Sequence, residues 1–176
     1  ADTVYGGSGS TEYIGGSGGG LFVGGSGPDL VYAGTGAATI FGGSGGGQFF
    51  GSPGKTEIVA GAGASTVVAA AGNTVFLTGA ANNLVMAGGG NETLMGSQSS
   101  GNNTFVAGSG ADSIVGGPGH NVFIAGTGSA TMTGGGGPDL YAFFKGQAGG
   151  TDVITPLNLG IGHVTLSYDV YARDAG

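Results

Sequence analysis

The sequence predicts an all-β fold: a parallel β-solenoid wound from two short strands per eighteen-residue coil. Three observations predict it. Glycine recurs on a nine-residue beat, as in GGSGSTEYI at 6–14, GGSGGGLFV at 15–23 and GGSGPDLVY at 24–32. Each unit closes on apolar or β-branched residues, the signature of a short strand. A unit this short cannot bury its own apolar face, so it must stack on its neighbours.

Within each unit, positions 1, 2 and 4 are mostly Gly or Ala, suited to a tight turn with positive φ and close backbone approach. Positions 7 to 9 form a three-residue strand. Two units make one coil, with strands on opposite sides. Helix is excluded for the repeats, since each glycine costs about 1 kcal/mol against alanine. The beat holds to Met95, an eleven-residue unit GSQSSGNNTFV occupies 96–106, and the phase resumes at Ala107 and runs to Ala142. At about 4.8 Å per coil the stack is about 35–40 Å long.

Position 8 is apolar in every unit, from Val4 and Tyr13 through Phe76 and Phe105 to Tyr141. Strand alternation puts position 8 on the face opposite positions 7 and 9. Position 8 is therefore the inward file. Position 9 then faces out, yet it too is apolar almost throughout, including Tyr32, Phe41, Phe50, Met86 and Met95. Such an outer stripe marks these five residues as a self-association surface.

The composition sets further bounds. There are 46 glycines in 176 residues, a net charge of −7, three basic side chains and no cysteine. With 39% hydrophobic residues the chain has the apolar groups that a disordered glycine-rich linker lacks. Three scattered cations cannot bind nucleic acid or an anionic membrane surface, and no apolar run reaches the roughly 20 residues of a spanning helix. No disulfide or thiolate–metal site is possible. The chain opens on the last five residues of a nonapeptide, ADTVY, which reads as a fragment of something longer.

The unit Gly24-Gly25-Ser26-Gly27-Pro28-Asp29-Leu30-Val31-Tyr32 fits G-G-x-G-x-D-x-U-x throughout, and so does GGGGPDLYA at 134–142. This pattern resembles the RTX (haemolysin-type) nonapeptide repeat. The resemblance spans residues 1–142. It implies a parallel β-roll in a secreted bacterial protein, extracellular or at the cell surface. In that family Ca²⁺ sits between successive turns on the position-6 aspartate, and export is often by a type I system.

This chain departs from the pattern at position 6. Aspartate stands there only at Asp2, Asp29, Asp112 and Asp139, and no two of them are neighbours on one edge of the roll. Calcium takes six to eight oxygens, so the expectation is a roll that requires no cofactor, with Ca²⁺ at a minority of turns. The weak metal candidates are Glu92, Asp112 and Asp139, with Glu92 and Asp112 the best-placed carboxylate pair; the plain reading makes them solvated turn residues. Thr, Ser and Asn at position 6 are expected to replace the metal by bonding to neighbouring backbone and to each other.

No catalytic constellation is present. His120 and His163 have no evident partner, the GGSG serines lack a strand–turn–helix setting, and the carboxylates are spread about one per coil. After Ala142 the period fails. Residues 143–176 are expected to form a small β cap, with strands near Tyr141–Lys145, Asp152–Thr155 and His163–Tyr168 and with Pro156 and Gly160 in the connections. The leading functional expectation is a non-enzymatic structural module that self-associates with other copies or neighbouring repeats into a fibre, sheath, matrix or adhesin. A calcium-binding export or folding module attached to a secreted enzyme is the alternative. A third is an ice-binding face built on Thr39, Thr93 and Thr131, interrupted by Glu57 and Val75.

Overall fold

The computed structural model describes residues 1–97, 99–155 and the backbone of 165–168. Eighteen strands and no helix are present among them. Successive strands alternate between two nine-stranded sheets, all neighbours parallel. One sheet runs from Asp2–Tyr5 through Gly20–Val23 and Ala38–Phe41 to Val153–Ile154. The other runs from Thr11–Ile14 through Asp29–Tyr32 to Leu140–Phe143 and Thr165–Tyr168. The result is a β-solenoid of about eight turns with about 18 residues per turn.

The register follows the sequence period. Val4 pairs with Phe22, and Phe49 with Val67, each eighteen residues on. Pairs that straddle the eleven-residue unit step by twenty instead, as in Val85 with Phe105 and Leu94 with Ile114. The two extra residues are absorbed in the turn, where Ser99 is fully buried and its hydroxyl donates to the Ala81 carbonyl at 3.2 Å. The pleat on either side is therefore undisturbed.

Position 8 is the inward file. Phe22, Phe49, Phe76, Phe105 and Phe123 have no exposed surface, and the Ile, Val, Leu and Met residues between them are as fully enclosed. Phe105, Phe123 and Tyr141 stack ring on ring along one sheet, with centroids 5.6 and 4.8 Å apart. A core one side chain thick leaves no slack, so its stability rests on this continuous column.

Most strands are one residue longer than the period implies. Thr56–Val59, Ser65–Val68 and Thr74–Leu77 all begin at position 6. Parallel pairing reaches into the end of the turn, and alternation then turns position 6 inward as well. From the last nonapeptide onward the strands are Leu140–Phe143, Val153–Ile154 and Thr165–Tyr168, close to the expected segments. They extend both sheets in the same parallel sense. His163, Pro156 and Gly160 lie outside the described residues.

Of the two roles expected of the turn glycines, close backbone approach is the commoner. Positive φ is confined to six of them among the described residues, including Gly19 and Gly46. Elsewhere the requirement is space. A Cβ on Gly79 would sit 1.5 Å from the Gly61 carbonyl oxygen, and one on Gly43 1.7 Å from that of Gly25. Each turn lies directly on the turn of the coil before it.

Candidate functional site

Position 6 lines the two edges where chain passes between sheets. The first edge stacks Thr11, Asp29, Gly47, Ser65, Asn83, Asn103, Asn121 and Asp139. Glu92 and Asp112 stand on the second edge, below Thr56 and Thr74. Most of these polar groups are buried, which inverts the expectation of solvated turn residues: Glu92 is 1% exposed and Asp112 5%. Position 6 stands at the strand start or one residue before it, and in either place its side chain shares the inward side of position 8.

From Ser65 onward the first edge is closed by amides. Each position-6 oxygen reaches back to the N–H of the preceding coil. Asn83 Oδ1 accepts Ser65 N–H at 3.0 Å, Asn103 Oδ1 accepts Asn83 N–H at 3.1 Å, and Asn121 Oδ1 accepts Asn103 N–H at 3.2 Å. Asp139 Oδ1 accepts Asn121 N–H at 2.8 Å. The side-chain amides add a second rail: Asn83 Nδ2 donates to Asn103 Oδ1, Asn103 Nδ2 to Asn121 Oδ1, and Asn121 Nδ2 to Asp139 Oδ1 at 3.0 Å. One side chain thus meets the needs of two coils, and buried polar groups left without such partners would be costly.

A second, outer ladder runs the opposite way at position 5. Asn91 N–H donates to Asn73 Oδ1 and Ala111 N–H to Asn91 Oδ1; on the other edge Asn102 N–H donates to Asn82 Oδ1. His120 belongs here, its backbone N–H bonded to Asn102 Oδ1 at 2.8 Å. That is a stacking role. The sequence reading missed this file, although its signal was visible as Asn recurring just before position 6.

The carboxylates fall into three environments. Asp112 accepts Glu92 N–H at 3.0 Å and Gly108 N–H at 2.7 Å. Neither oxygen of Glu92 has a hydrogen-bond partner of good geometry among the described residues, although the carboxyl lies beside Asp112 and the Gly88 and Gly90 backbone. Burial first, and then the adjacent Asp112 carboxyl, push Glu92 up to about 8, so it holds its proton at neutrality. Burial also raises Asp139, against the pull of the Asn121 bonds. The sequence pairing of Glu92 with Asp112 is thus realised as a neighbouring couple; Asp139 terminates the amide ladder on the other edge.

Asp29 is different. It is 3% exposed, and both carboxylate oxygens are buried without a hydrogen-bond partner. It lies against glycine of its own turn and of the preceding one. A Cβ on Gly24 would come within 2.6 Å of Oδ2, and a Cβ on Gly6 within 3.3 Å of both Oδ1 and Thr11 Oγ1. The Asp29 oxygens, set against the glycine turns and without a donor among the described residues, are the ones on this edge that fit a cation. The amide file does not fit one, because its oxygens already accept N–H groups. Among the described residues no three acidic or histidine side chains converge, so a cation at Asp29 would take its other oxygens from turn carbonyls, Thr11 and water.

The outer position-9 files are continuous in register on both sheets. Tyr32 and Phe50 stack with centroids 4.7 Å apart, and the two rings are 10° from parallel. Tyr32 and Phe41 are 40% and 41% exposed, while Phe50, Met86 and Met95 are half-buried between their neighbours in the file. The stripe is thus partly self-covering, and its most open members, Tyr5, Ile14, Tyr32 and Phe41, cluster in the first coils.

The family model described as the RTX calcium-binding nonapeptide repeat matches four times, at residues 14–49, 68–99, 97–132 and 109–141. No curated protein and no solved structure matches the chain. Such repeats are calcium-binding and occur in secreted bacterial proteins, and among the described residues no helix is long and apolar enough to cross a membrane. With matches over well more than half of its residues and two parallel sheets coiled on the nonapeptide period, the chain belongs to the RTX calcium-binding nonapeptide-repeat family.

Proposed function

We propose that this chain is a rigid, non-catalytic structural module of a secreted protein, and that it packs laterally against a second copy through its outer apolar files. The observation that carries this reading is the register-matched stripe led by Tyr32, Phe41 and Phe50, stiff because each ring is fixed by a parallel strand. A stripe of stacked rings presents apolar area at little entropic cost, since its rotamers are already restrained. The surface bears few charges to oppose a like partner. Sedimentation velocity tests it. Replacing Tyr32, Phe41 and Phe50 by Lys should leave the far-ultraviolet circular dichroism unchanged and convert larger species to monomer. A wild-type chain that stays monomeric at high concentration overturns the reading.

One observation favours a second reading, a calcium-binding folding module: the buried, partnerless carboxylate of Asp29.

A further inference from the structure

The asparagines of the roll divide by what their side-chain nitrogen does. Asn83, Asn103 and Asn121 are buried at position 6, and each Nδ2 donates along the inner ladder. Asn73, Asn82, Asn91 and Asn102 are exposed at position 5. Each of these four turns Oδ1 to a backbone N–H of the next coil, at 2.7–3.0 Å. Their Nδ2 atoms have no hydrogen-bond partner among the described residues. Two of the four, and no other asparagine of the chain, head the triplet Asn-x-Ser/Thr: Asn91-Glu92-Thr93 and Asn102-Asn103-Thr104. That triplet is the acceptor for N-linked sugar when it stands on the surface of a secreted protein.

We propose that Asn91 and Asn102 are N-glycosylation sites, one on each edge of the roll. The fold displays both triplets in the same way. Positions 6 and 8 turn inward, so positions 5 and 7 share the outward side. The asparagine and the threonine of each triplet therefore stand on one side, roughly 7 Å apart along the chain, while the middle residue, Glu92 or Asn103, is buried. Thr93 is exposed and Thr104 half-buried. The ladder bond on Oδ1 holds each carboxamide in place without engaging the atom that would be modified. The reaction needs a transferase and a sugar activated as a nucleotide- or lipid-linked diphosphate. Nδ2 bonds to the anomeric carbon, the carbon–oxygen bond to the diphosphate breaks and its electron pair leaves with the diphosphate. One Nδ2 proton passes to a base of the transferase, and the product remains a neutral amide whose carbonyl still accepts. Sugar on the two edges leaves the outer sheet faces bare, so the assignment does not depend on lateral packing.

Peptide mapping of the protein as its source cell makes it, by electron-transfer fragmentation mass spectrometry, tests the assignment. Asn91 and Asn102 should each carry the added mass of one or more sugar residues, and Asn73, Asn82, Asn83, Asn103 and Asn121 should carry none. Asn73 and Asn82 are the internal controls, exposed at the same ladder position but followed two residues on by Val75 and Leu84. Thr93→Ala should remove all sugar from Asn91 and leave Asn102 loaded, whereas Thr93→Ser should keep it at both. Thr104→Ala should unload Asn102 alone. Circular dichroism of each variant checks that the roll is intact. Blocking the synthesis of lipid-linked sugar diphosphates in the cell separates the two donors: sugar lost assigns the lipid, sugar retained assigns the nucleotide, and either supports the proposal. Bare Asn91 and Asn102, sugar equally on Asn73 and Asn82, or sugar at Asn91 that survives Thr93→Ala overturns it.

Discussion

Glu92 and Asp112 lie on adjacent coils of one edge, with Asp112 Oδ1 accepting the Glu92 backbone N–H at 3.0 Å and the two carboxyls beside each other. Burial and the neighbouring acid raise Glu92 from its ordinary 4.5 to about 8. The folded chain therefore keeps a proton that the unfolded chain gives up. Glu92 contributes most to stability below about pH 4.5, and that contribution is lost as pH rises toward 8.

The first prediction is a stability that falls from pH 5 to pH 8, with a slope from this group of at most about 1.4 kcal/mol per pH unit. Asp139 and Asp152, also raised by burial, act in the same direction. Glu92→Gln should flatten the profile and stabilise the roll at pH 8. Urea denaturation at several pH values measures it, and an unchanged slope in the variant would show that Glu92 is ionised in the fold.

The amide ladder yields the second prediction. Asn103 is 1% exposed, and its Oδ1 serves both the N–H and the side-chain amide of Asn83. Asn103→Ala removes that acceptor inside the roll and strands two donors, at a cost of about 2–4 kcal/mol. Asn102, one residue earlier, is exposed, though its Oδ1 accepts His120 N–H. Water can replace that partner, so Asn102→Ala should cost less than about 1 kcal/mol. Equal losses at the two positions would mean that burial does not govern the ladder.

The third prediction concerns the core column. Phe76 and Phe105 have no exposed surface and pack in the apolar core column. Phe105→Asp or Phe76→Asp should abolish folding, since burying an unpaired carboxylate costs several kcal/mol on top of the lost packing. Circular dichroism and thermal melting report it directly; a native-like melt would mean that the column tolerates water.

Much of this architecture was legible in the sequence, for a physical reason. Alternation is enforced by backbone geometry, so a file such as Phe22, Phe49 and Phe76 could be assigned inward from spacing alone. Position 6 was harder. Asp112 and Glu92 follow glycine-rich turns and read as solvated, because nothing in composition shows that the residue ahead of the apolar triplet turns inward. The Asn83, Asn103 and Asn121 file was anticipated as a kind of contact, but its reach from one side chain to the preceding backbone needed the register. The glycines were read partly through φ, whereas at Gly43 and Gly79 the decisive factor is a carbonyl oxygen of the coil before.

That last point supplies the fourth prediction. A Cβ on Gly79 would overlap the Gly61 carbonyl oxygen at 1.5 Å, so Gly79→Ala must push two coils apart. The backbone there cannot yield without breaking neighbouring sheet bonds, and the variant should lose at least about 3 kcal/mol. Gly7 occupies the same turn position in the first coil, where a Cβ would meet nothing within 4 Å. Gly7→Ala should be neutral in the isolated chain or slightly stabilising, because alanine restricts the unfolded state. The pair also reports on what stacks ahead of Asp2–Tyr5. If another coil, from a second copy or from an adjoining repeat, sits there as Gly7 sits ahead of Gly25, then Gly7→Ala should become as disruptive as Gly79→Ala. Comparing the two variants by thermal melting, first at dilution and then at the concentration where larger species form, separates end-on stacking from lateral packing. A Gly7→Ala chain that melts like wild type under both conditions, while still assembling, would place the contact on the sheet faces alone.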